Sequence, residues 1–436
     1  MMVRLRATCG LASVVCGMLL IAHACDGLAQ EQGVHWFKGN LHTHSLWSDG
    51  NDFPEMIVDW YVTHDYDFLS LSDHNILSRG EKWVPEGQGA KRGAIDGLKR
   101  YIARFGNDWV ETREKDGKTE IRLRALDEFA PKFVKPGEFL LIQAEEITDR
   151  HKSLPIHINA TNILELIRPR GGESVRDTIK NNLIAVEQQS QRVGHPILAH
   201  LNHPNFGYAV TAEDMAAVTQ EKFFEIYNGH PGVNQLGDEQ HVELERMWDI
   251  ANTIRIAEMK EAPLSGMATD DSHNYFGNRG SSPGRGWVMV KASKLDADAI
   301  IRSMEKGDFY SSSGVTLSKI KFDEKARVLT VEMQPEEGIE YVTEFIGTPV
   351  DYDKSSEPVT DKDGKPIHAT RRYSADVGAV LSKVEGAKAT YKLTGDELYV
   401  RAVVTSSKKH WNPSFDGQRE QAWTQTVGWR QHVGKD

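Results

Sequence analysis

From about residue 36 to residue 313 the chain alternates short apolar runs with helical periodicity. Phe68-Leu69-Ser70-Leu71, Phe139-Leu140-Leu141-Ile142, Pro155-Ile156-His157-Ile158, Ile197-Leu198-Ala199-His200, Phe223-Phe224-Glu225-Ile226 and Trp287-Val288-Met289-Val290 read as strands. Residues 54–64, with proline in a first-turn position, and residues 174–191, long and amphipathic, read as helices. So do a start at Thr211-Ala212-Glu213-Asp214 and residues 296–306, which end before Gly307. Strand–helix alternation predicts an α/β fold around a parallel sheet, open or closed into a barrel. Residues 79–135 are charged and glycine-bearing, and an irregular insertion on one loop is expected there. After about residue 314 the pattern changes. Residues 328–331, 341–343 and 398–404 read as strands between turn-rich stretches, with a turn at Asp361-Lys362-Asp363-Gly364-Lys365. A smaller all-β domain over 314–436, a sandwich in form, is the expectation, and it carries no catalytic constellation.

The first residues follow another logic. Arg4 and Arg6 precede an apolar stretch over residues 7–24, then the small-residue exits Ala22-His23-Ala24 and Gly27-Leu28-Ala29. Charge, apolar run and small residues together read as a signal peptide over 1–29 and predict an exported protein, periplasmic or extracellular, with no stable membrane span after cleavage. All three cysteines, Cys9, Cys16 and Cys25, fall in this stretch, so cleavage removes both disulfide and thiolate-metal chemistry. A lipid anchor on Cys25 is the weaker alternative, because Ala22 is a poor residue three places before it.

Net charge is −11, and no basic run with interleaved aromatics occurs. Counterion release onto a nucleic-acid backbone needs the opposite balance, so no nucleic-acid partner is expected. A small anionic substrate would need local positive charge, which metal ions supply. Histidine is unevenly spread, with thirteen of the seventeen between His35 and His273.

Five pieces at or just after strand-like runs concentrate the candidate chemistry. In Leu41-His42-Thr43-His44-Ser45-Leu46-Trp47-Ser48-Asp49-Gly50, His42 and His44 share one side of an extended chain, and Asp49 returns from the loop. Ser70-Leu71-Ser72-Asp73-His74-Asn75 ends an apolar strand in an acid and a histidine. Ile142-Gln143-Ala144-Glu145-Glu146-Ile147-Thr148 ends in carboxylates, and His157 follows on the next run. Ala199-His200-Leu201-Asn202-His203-Pro204-Asn205 and Gly266-Met267-Ala268-Thr269-Asp270-Asp271-Ser272-His273 complete the set. Imidazole and carboxylate donors suit zinc, manganese or iron. Two such ions held close together lower the pKa of a shared water and clamp a phosphoryl oxygen through in-line displacement.

The ordered set, His-x-His…Ser-Asp-Gly, Asp-His, a Gly-x-Glu-like element, then His, His and Asp-x-His, resembles the PHP (polymerase and histidinol phosphatase) family over roughly residues 36–313. The resemblance implies a distorted seven-stranded β/α barrel over 33–313, up to three divalent metals, and hydrolysis of phosphate esters. It implies one metal on His42, His44, Glu146 and Asp271, a second on Glu146, His157 and His203, and a third on Asp49, His74 and His273. The aspartate at 49 resembles one branch of the family, whereas Ala144 departs from its usual glycine. Three rivals stand beside these donors. Spacing favours Glu146 over Glu145 and Asp271 over Asp270, and the following proline favours His203 over His200.

Asp73 and His230 are candidates to help the leaving oxygen take up its proton, with Asp73 alternatively orienting a ligand. Asn75, Asn228, Arg279 and Arg285 are candidates to bind substrate, the arginines through bidentate contacts to phosphate. The expected activity is metal-dependent hydrolysis of a small phosphate ester by a two- or three-metal centre and a metal-activated hydroxide. Hydrolysis of a sulfate ester or amide, or metal binding without turnover, stands as the alternative.

Overall fold

The computed structural model describes residues 33–89, 94, 96–276 and 280–434. The signal-like segment, its cysteines and Arg279 lie outside them. Among the described residues no helix is long and apolar enough to cross a membrane.

Seven strands build the region that carries the histidines: β1 (His35–Asn40), β2 (Phe68–Leu71), β3 (Leu140–His151), β4 (Leu154–Thr161), β5 (Leu198–Leu201), β6 (Phe223–Asn228) and β7 (Ser265–Thr269). They are neighbours in the order β7-β6-β5-β4-β3-β2-β1. The pairs β1/β2, β2/β3, β5/β6 and β6/β7 are parallel, as expected of strands buried on both faces. Every residue of β2 and of β6 is buried.

The fully parallel expectation fails at β4, which runs antiparallel to both β3 and β5. The cause is local. His151 pairs with Leu154 across a two-residue turn, and Lys152 adopts the left-handed backbone (φ 56°) that such a turn requires. Just past β1 and β7, Thr43 and Ser272 form a parallel bridge that brings the first and last of the seven strands side by side. Helices cover the outside. Helix Val175–Val193 is capped by the Ser174 hydroxyl accepting from Asp177 N–H. It buries Ile179, Leu183 and Val186 in one cluster with Ile147, Ile156 and Ile158, each side chain stabilising by about 1.5–3 kcal/mol.

The insertion is more regular than expected. Lys82–Pro85, Lys118–Leu123 and Thr112–Lys115 form a three-stranded antiparallel sheet, followed in space by helix Gly97–Phe105. Its inner positions Val84, Ile121, Leu123 and Tyr101 pack on Leu46, Trp47 and Phe53, beside the first histidine motif.

On the other edge of β1 the sheet continues antiparallel through β8 (Trp287–Ala292) and β9 (Phe309–Ser312). It then passes to Arg419–Thr424, Glu397–Lys409, Tyr341–Pro349 and Ala379–Glu385, thirteen strands in all. Leu317–Asp323, Val328–Met333 and Lys388–Lys392 form a separate three-stranded antiparallel sheet. The fold is thus a mixed α/β arrangement with a large, partly parallel sheet and additional antiparallel ones.

Candidate metal centre

The first motif leaves β1 as an extended segment, with His42 and His44 on one side and both fully buried. The following turn is tight. Gly50 N–H donates to the Ser45 carbonyl, and a Cβ at Gly50 would collide with the His44 carbonyl. Asp73 holds this turn. Its carboxylate accepts from Ser45 N (2.8 Å), Ser45 Oγ (2.7 Å), Ser48 N (3.0 Å) and Ser48 Oγ (2.5 Å). Burial raises the Asp73 pKa while these donors pull it down.

The turn returns Asp49 to the histidines. Its Oδ1 stands 3.6 Å from His44 Nδ1, 3.4 Å from His74 Nε2 and 3.3 Å from His273 Nε2. Deeper in, His42 Nε2 and His44 Nε2 lie 3.6 and 3.4 Å from Glu146 Oε2, and 3.3 and 3.2 Å from Asp271 Oδ1. The other Glu146 oxygen faces His157 Nδ1 (2.9 Å) and His203 Nε2 (3.5 Å). Donors about 2.0–2.2 Å from a single ion stand roughly 3.3 Å apart in a tetrahedron. His42 Nε2, both nitrogens of His44 and Glu146 Oε2 are buried without any hydrogen-bond partner. Buried polar atoms are ordinarily satisfied. A cluster of lone pairs converging on one space at ligand spacing fits divalent cations, and several such groups overlap here.

Electrostatics agrees. Burial works to raise Glu146, yet His74, His157 and His42 around it hold its carboxyl well below the usual range. Asp271 is likewise held well below its usual value, because His42, His44 and His273 outweigh burial. Burial, with His273 and His74 close by, drops His44 to about 3, leaving a neutral imidazole with a free lone pair. Burial alone would lower His74, but Glu146 and Asp49 carry it up to about 9.

Two of the three rival donors, Glu145 and Asp270, are engaged elsewhere. Glu145 points to the opposite side of β3, where Oε1 accepts from Ile167 N–H and burial pushes its pKa up to about 8. Asp270 is spent on the Gly284, Arg285 and Gly286 N–H groups and on the Tyr61 hydroxyl. His200 lies 3.5 Å from Glu225 Oε1 with both ring nitrogens buried and without a hydrogen-bond partner, and with His42 and Glu225 it forms a further group at ligand spacing. His203 (φ 28°) and Asp271 (φ 46°) reach the pocket from left-handed backbone, a strain that concentrates at functional sites.

Four further candidates are engaged by the protein itself. Asp73 accepts from the Ser45 and Ser48 donors of the turn it braces. Asn75 exchanges two hydrogen bonds with the Thr148 backbone. Asn228 donates to Glu225 Oε2 (2.8 Å) and Asp271 Oδ2 (3.1 Å), orienting carboxylates. Arg285 is buried, and its guanidinium donates to the Gly229, Gly280 and Asn412 carbonyls and to Asn412 Oδ1. It ties together the segments of Gly229, Gly280 and Asn412. Arg279 lies outside the described residues. His230 does line the pocket, with its ring 5.5 Å from that of His273 and its pKa lowered by burial.

Sequence reasoning passed over Glu225. It accepts from Thr269 Oγ1 (2.7 Å), His203 N (2.8 Å) and Asn228 Nδ2, and its Oε1 is 2.6 Å from His42 Nδ1. This is the carboxylate–histidine pairing that fixes a ligand's tautomer and aims its other nitrogen at a metal. The signal was present in Phe223-Phe224-Glu225-Ile226: a carboxylate inside a buried strand persists only when paired. Asn202 was also missed, and it donates to Glu146 Oε1 (2.9 Å).

No protein-family model and no curated protein matches the chain. Among solved structures it is similar to a two-domain protein from Bacteroides vulgatus, described as containing a predicted PHP-like metal-dependent phosphoesterase. That likeness has 14% identity, 91% of this chain and 96% of the other covered, and a TM-score of 0.39. It is similar to a structure from Bifidobacterium adolescentis described as a candidate metal-dependent phosphoesterase (12%, 56% and 92% covered, TM-score 0.28). A third is an amidohydrolase from Chromobacterium violaceum with bound sulfate (13%, 62% and 96% covered, TM-score 0.29). Likeness at these TM-scores carries no weight for chemistry, which rests on the donors themselves.

Proposed function

We propose that this chain is a metal-dependent phosphoesterase of PHP type, acting outside the cytoplasm on a small phosphate ester. One observation carries the reading: four atoms, His42 Nε2, His44 Nε2, Glu146 Oε2 and Asp271 Oδ1, converge at ligand spacing, and the imidazole and Glu146 atoms among them have no hydrogen-bond partner. We assign β1 to β7, closed through the Thr43–Ser272 bridge, to the seven-stranded barrel that the PHP resemblance implies. Residues 314–436 we assign to a C-terminal all-β module, four of whose strands continue the same sheet.

His42, His44, Glu146 and Asp271 would hold one ion, Glu146, His157 and His203 a second, and Asp49, His74 and His273 a third. Divalent ions there supply a water of lowered pKa and neutralise phosphoryl charge. The rest is the chain's work. Glu225 fixes the His42 tautomer, Asn202 and Asn228 aim the carboxylates, and Asp73 braces the turn that returns Asp49. The cavity over these donors holds about 160 Å³ and is lined by Phe206 and His230. Typical small-molecule clefts start at ~300 Å³, so only the reacting end of an ester fits inside. His230, the pocket imidazole outside the three proposed ligand sets, sits at the rim with Nδ1 accepting from Gly232 N–H, which places the other ring nitrogen for proton transfer to a leaving oxygen. The acidic balance of the chain disfavours nucleic acid as substrate.

Elemental analysis of purified protein, paired with hydrolysis of a phosphomonoester, a phosphodiester and a sulfate ester before and after chelation, tests this. Two or three metals per chain with chelator-sensitive phosphate release is the expected result. Bound metal without phosphate release would overturn the phosphoesterase reading, and failure to take up metal would overturn the ligand assignment.

A further inference from the structure

At the opposite ends of β6 and β7 from the metal pocket, a second cavity of about 470 Å³ opens beside Phe223 and Ser265. Two ionisable side chains, Glu221 and Arg255, are buried in its wall, 0% and 3% exposed. Each keeps one buried polar atom without a hydrogen-bond partner, Glu221 Oε2 and Arg255 Nε. The rest of each group is anchored. Arg255 Nη1 donates to the Glu221 carbonyl (2.9 Å) and Nη2 to the Thr219 carbonyl (3.5 Å), while Glu221 Oε1 accepts from Phe223 N–H (3.2 Å). Donor and acid are therefore held in place, and neither completes the other.

Two further observations point to a ligand. Arg255 is carried on a π-helical turn, Ile254–Met259, that extends helix Leu244–Thr253. Such turns are rare and gather at functional sites, where the widened backbone re-aims a side chain. The mouth is also charged unevenly. Lys222, Lys306 and Arg430 stand against Glu261 and Glu305. Burial pushes the Glu221 carboxyl up to about 8, so near neutral pH it offers an O–H rather than a negative charge.

We propose that this cavity is a second ligand site that binds a small oxyanion, a carboxylate or a phosphate, with Arg255 Nε–H and the Glu221 carboxyl as its inner partners and Lys306 at its mouth. The site is independent of the metal pocket and of the reaction proposed there.

Trp429 lines the cavity and offers a local reporter among the chain's ten tryptophans. The full-length, manganese-loaded protein is titrated with inorganic phosphate and, separately, with succinate while tryptophan fluorescence is followed. At least one anion should give a saturable change that Trp429→Phe removes. Lys306→Glu, a surface change, should weaken that response about tenfold and leave ester hydrolysis unchanged. Arg255→Gln should abolish it, and if that variant fails to fold, Lys306→Glu and Trp429→Phe still decide. A response to phosphate alone identifies an inorganic or ester phosphate as the ligand, and one to succinate identifies an organic acid. No Trp429-dependent change with either anion, or affinities untouched by Lys306→Glu, overturns the proposal.

Discussion

Two regions of this molecule bury charge, and they do it in opposite ways. Where helix Leu244–Thr253 meets strand Glu397–Lys409, Arg401 is 1% exposed and donates through Nε and Nη2 to both oxygens of Asp249 (2.9 and 2.7 Å). Its Nη1 reaches Glu245 Oε2 (3.1 Å), Tyr399 donates to Asp249, Trp423 donates to Glu245, and the Trp248 ring lies over the guanidinium. One guanidinium meets two carboxylates there, and its donors have acceptors. In the histidine pocket His42, His44 and Glu146 are as deeply buried, but carboxylates and imidazoles converge with lone pairs left over. A closed network holds a structure together, while an open one of this donor type is built for something that arrives later.

That contrast can be broken most sharply at its open end. His44→Ala should lower turnover by on the order of 10³-fold or more and reduce bound metal, with little loss of folded protein. Retained activity would remove the metal-centre reading. Removing metal from the wild type should lower its melting temperature, because ions that bind only the folded state stabilise it. The same chelation should shift His44→Ala much less.

The closed network should respond in the other currency. Asp249→Ala strands a buried guanidinium and should cost about 3–5 kcal/mol of stability. Activity per folded molecule should persist, which denaturant unfolding beside an assay at low temperature would check. Glu225→Gln lies between the two regimes. It keeps the shape but weakens the acceptor for His42 Nδ1, and metal affinity should fall about 10–100-fold while melting temperature moves little.

The smallest effect concerns pH. Folded Glu221 keeps its proton up to about 8, whereas the unfolded chain releases it near the ordinary value of 4.5. Between those values the folded state binds more protons, so this residue's contribution to stability is present below the lower value and is lost as pH rises toward the upper one. Glu221→Gln should flatten the fall in melting temperature between pH 5 and 8. An unchanged slope would show that the carboxyl ionises freely in the fold.

Much of the site was legible because metal chemistry needs a narrow set of side chains at strand ends. His-x-His at 42 and 44, Asp-His at 73 and 74, and Asp-x-His at 271 and 273 each stand where an apolar run stops. Strand positions were legible for the same reason: β2 occupies the four residues its apolar run marked. The protein contacts of Asn75, Asn228 and Arg285 were not legible, because a polar residue near a site looks the same in sequence whether it faces a ligand or another part of the chain. Glu225 was hidden because its partner His42 is 183 residues away.

The sequence by itself determined which donors exist, the periods that make strands and helices, and the acidic, histidine-clustered balance that favours metal over basic residues for holding an anion. Those are local properties of side chains and spacing. Tertiary structure alone decided that β4 turns back on β3, that the insertion folds into its own sheet, and which of each adjacent pair, Glu145 or Glu146, Asp270 or Asp271, faces the pocket. Successive residues on an extended chain point to opposite sides, and only the packed neighbours say which side is the site.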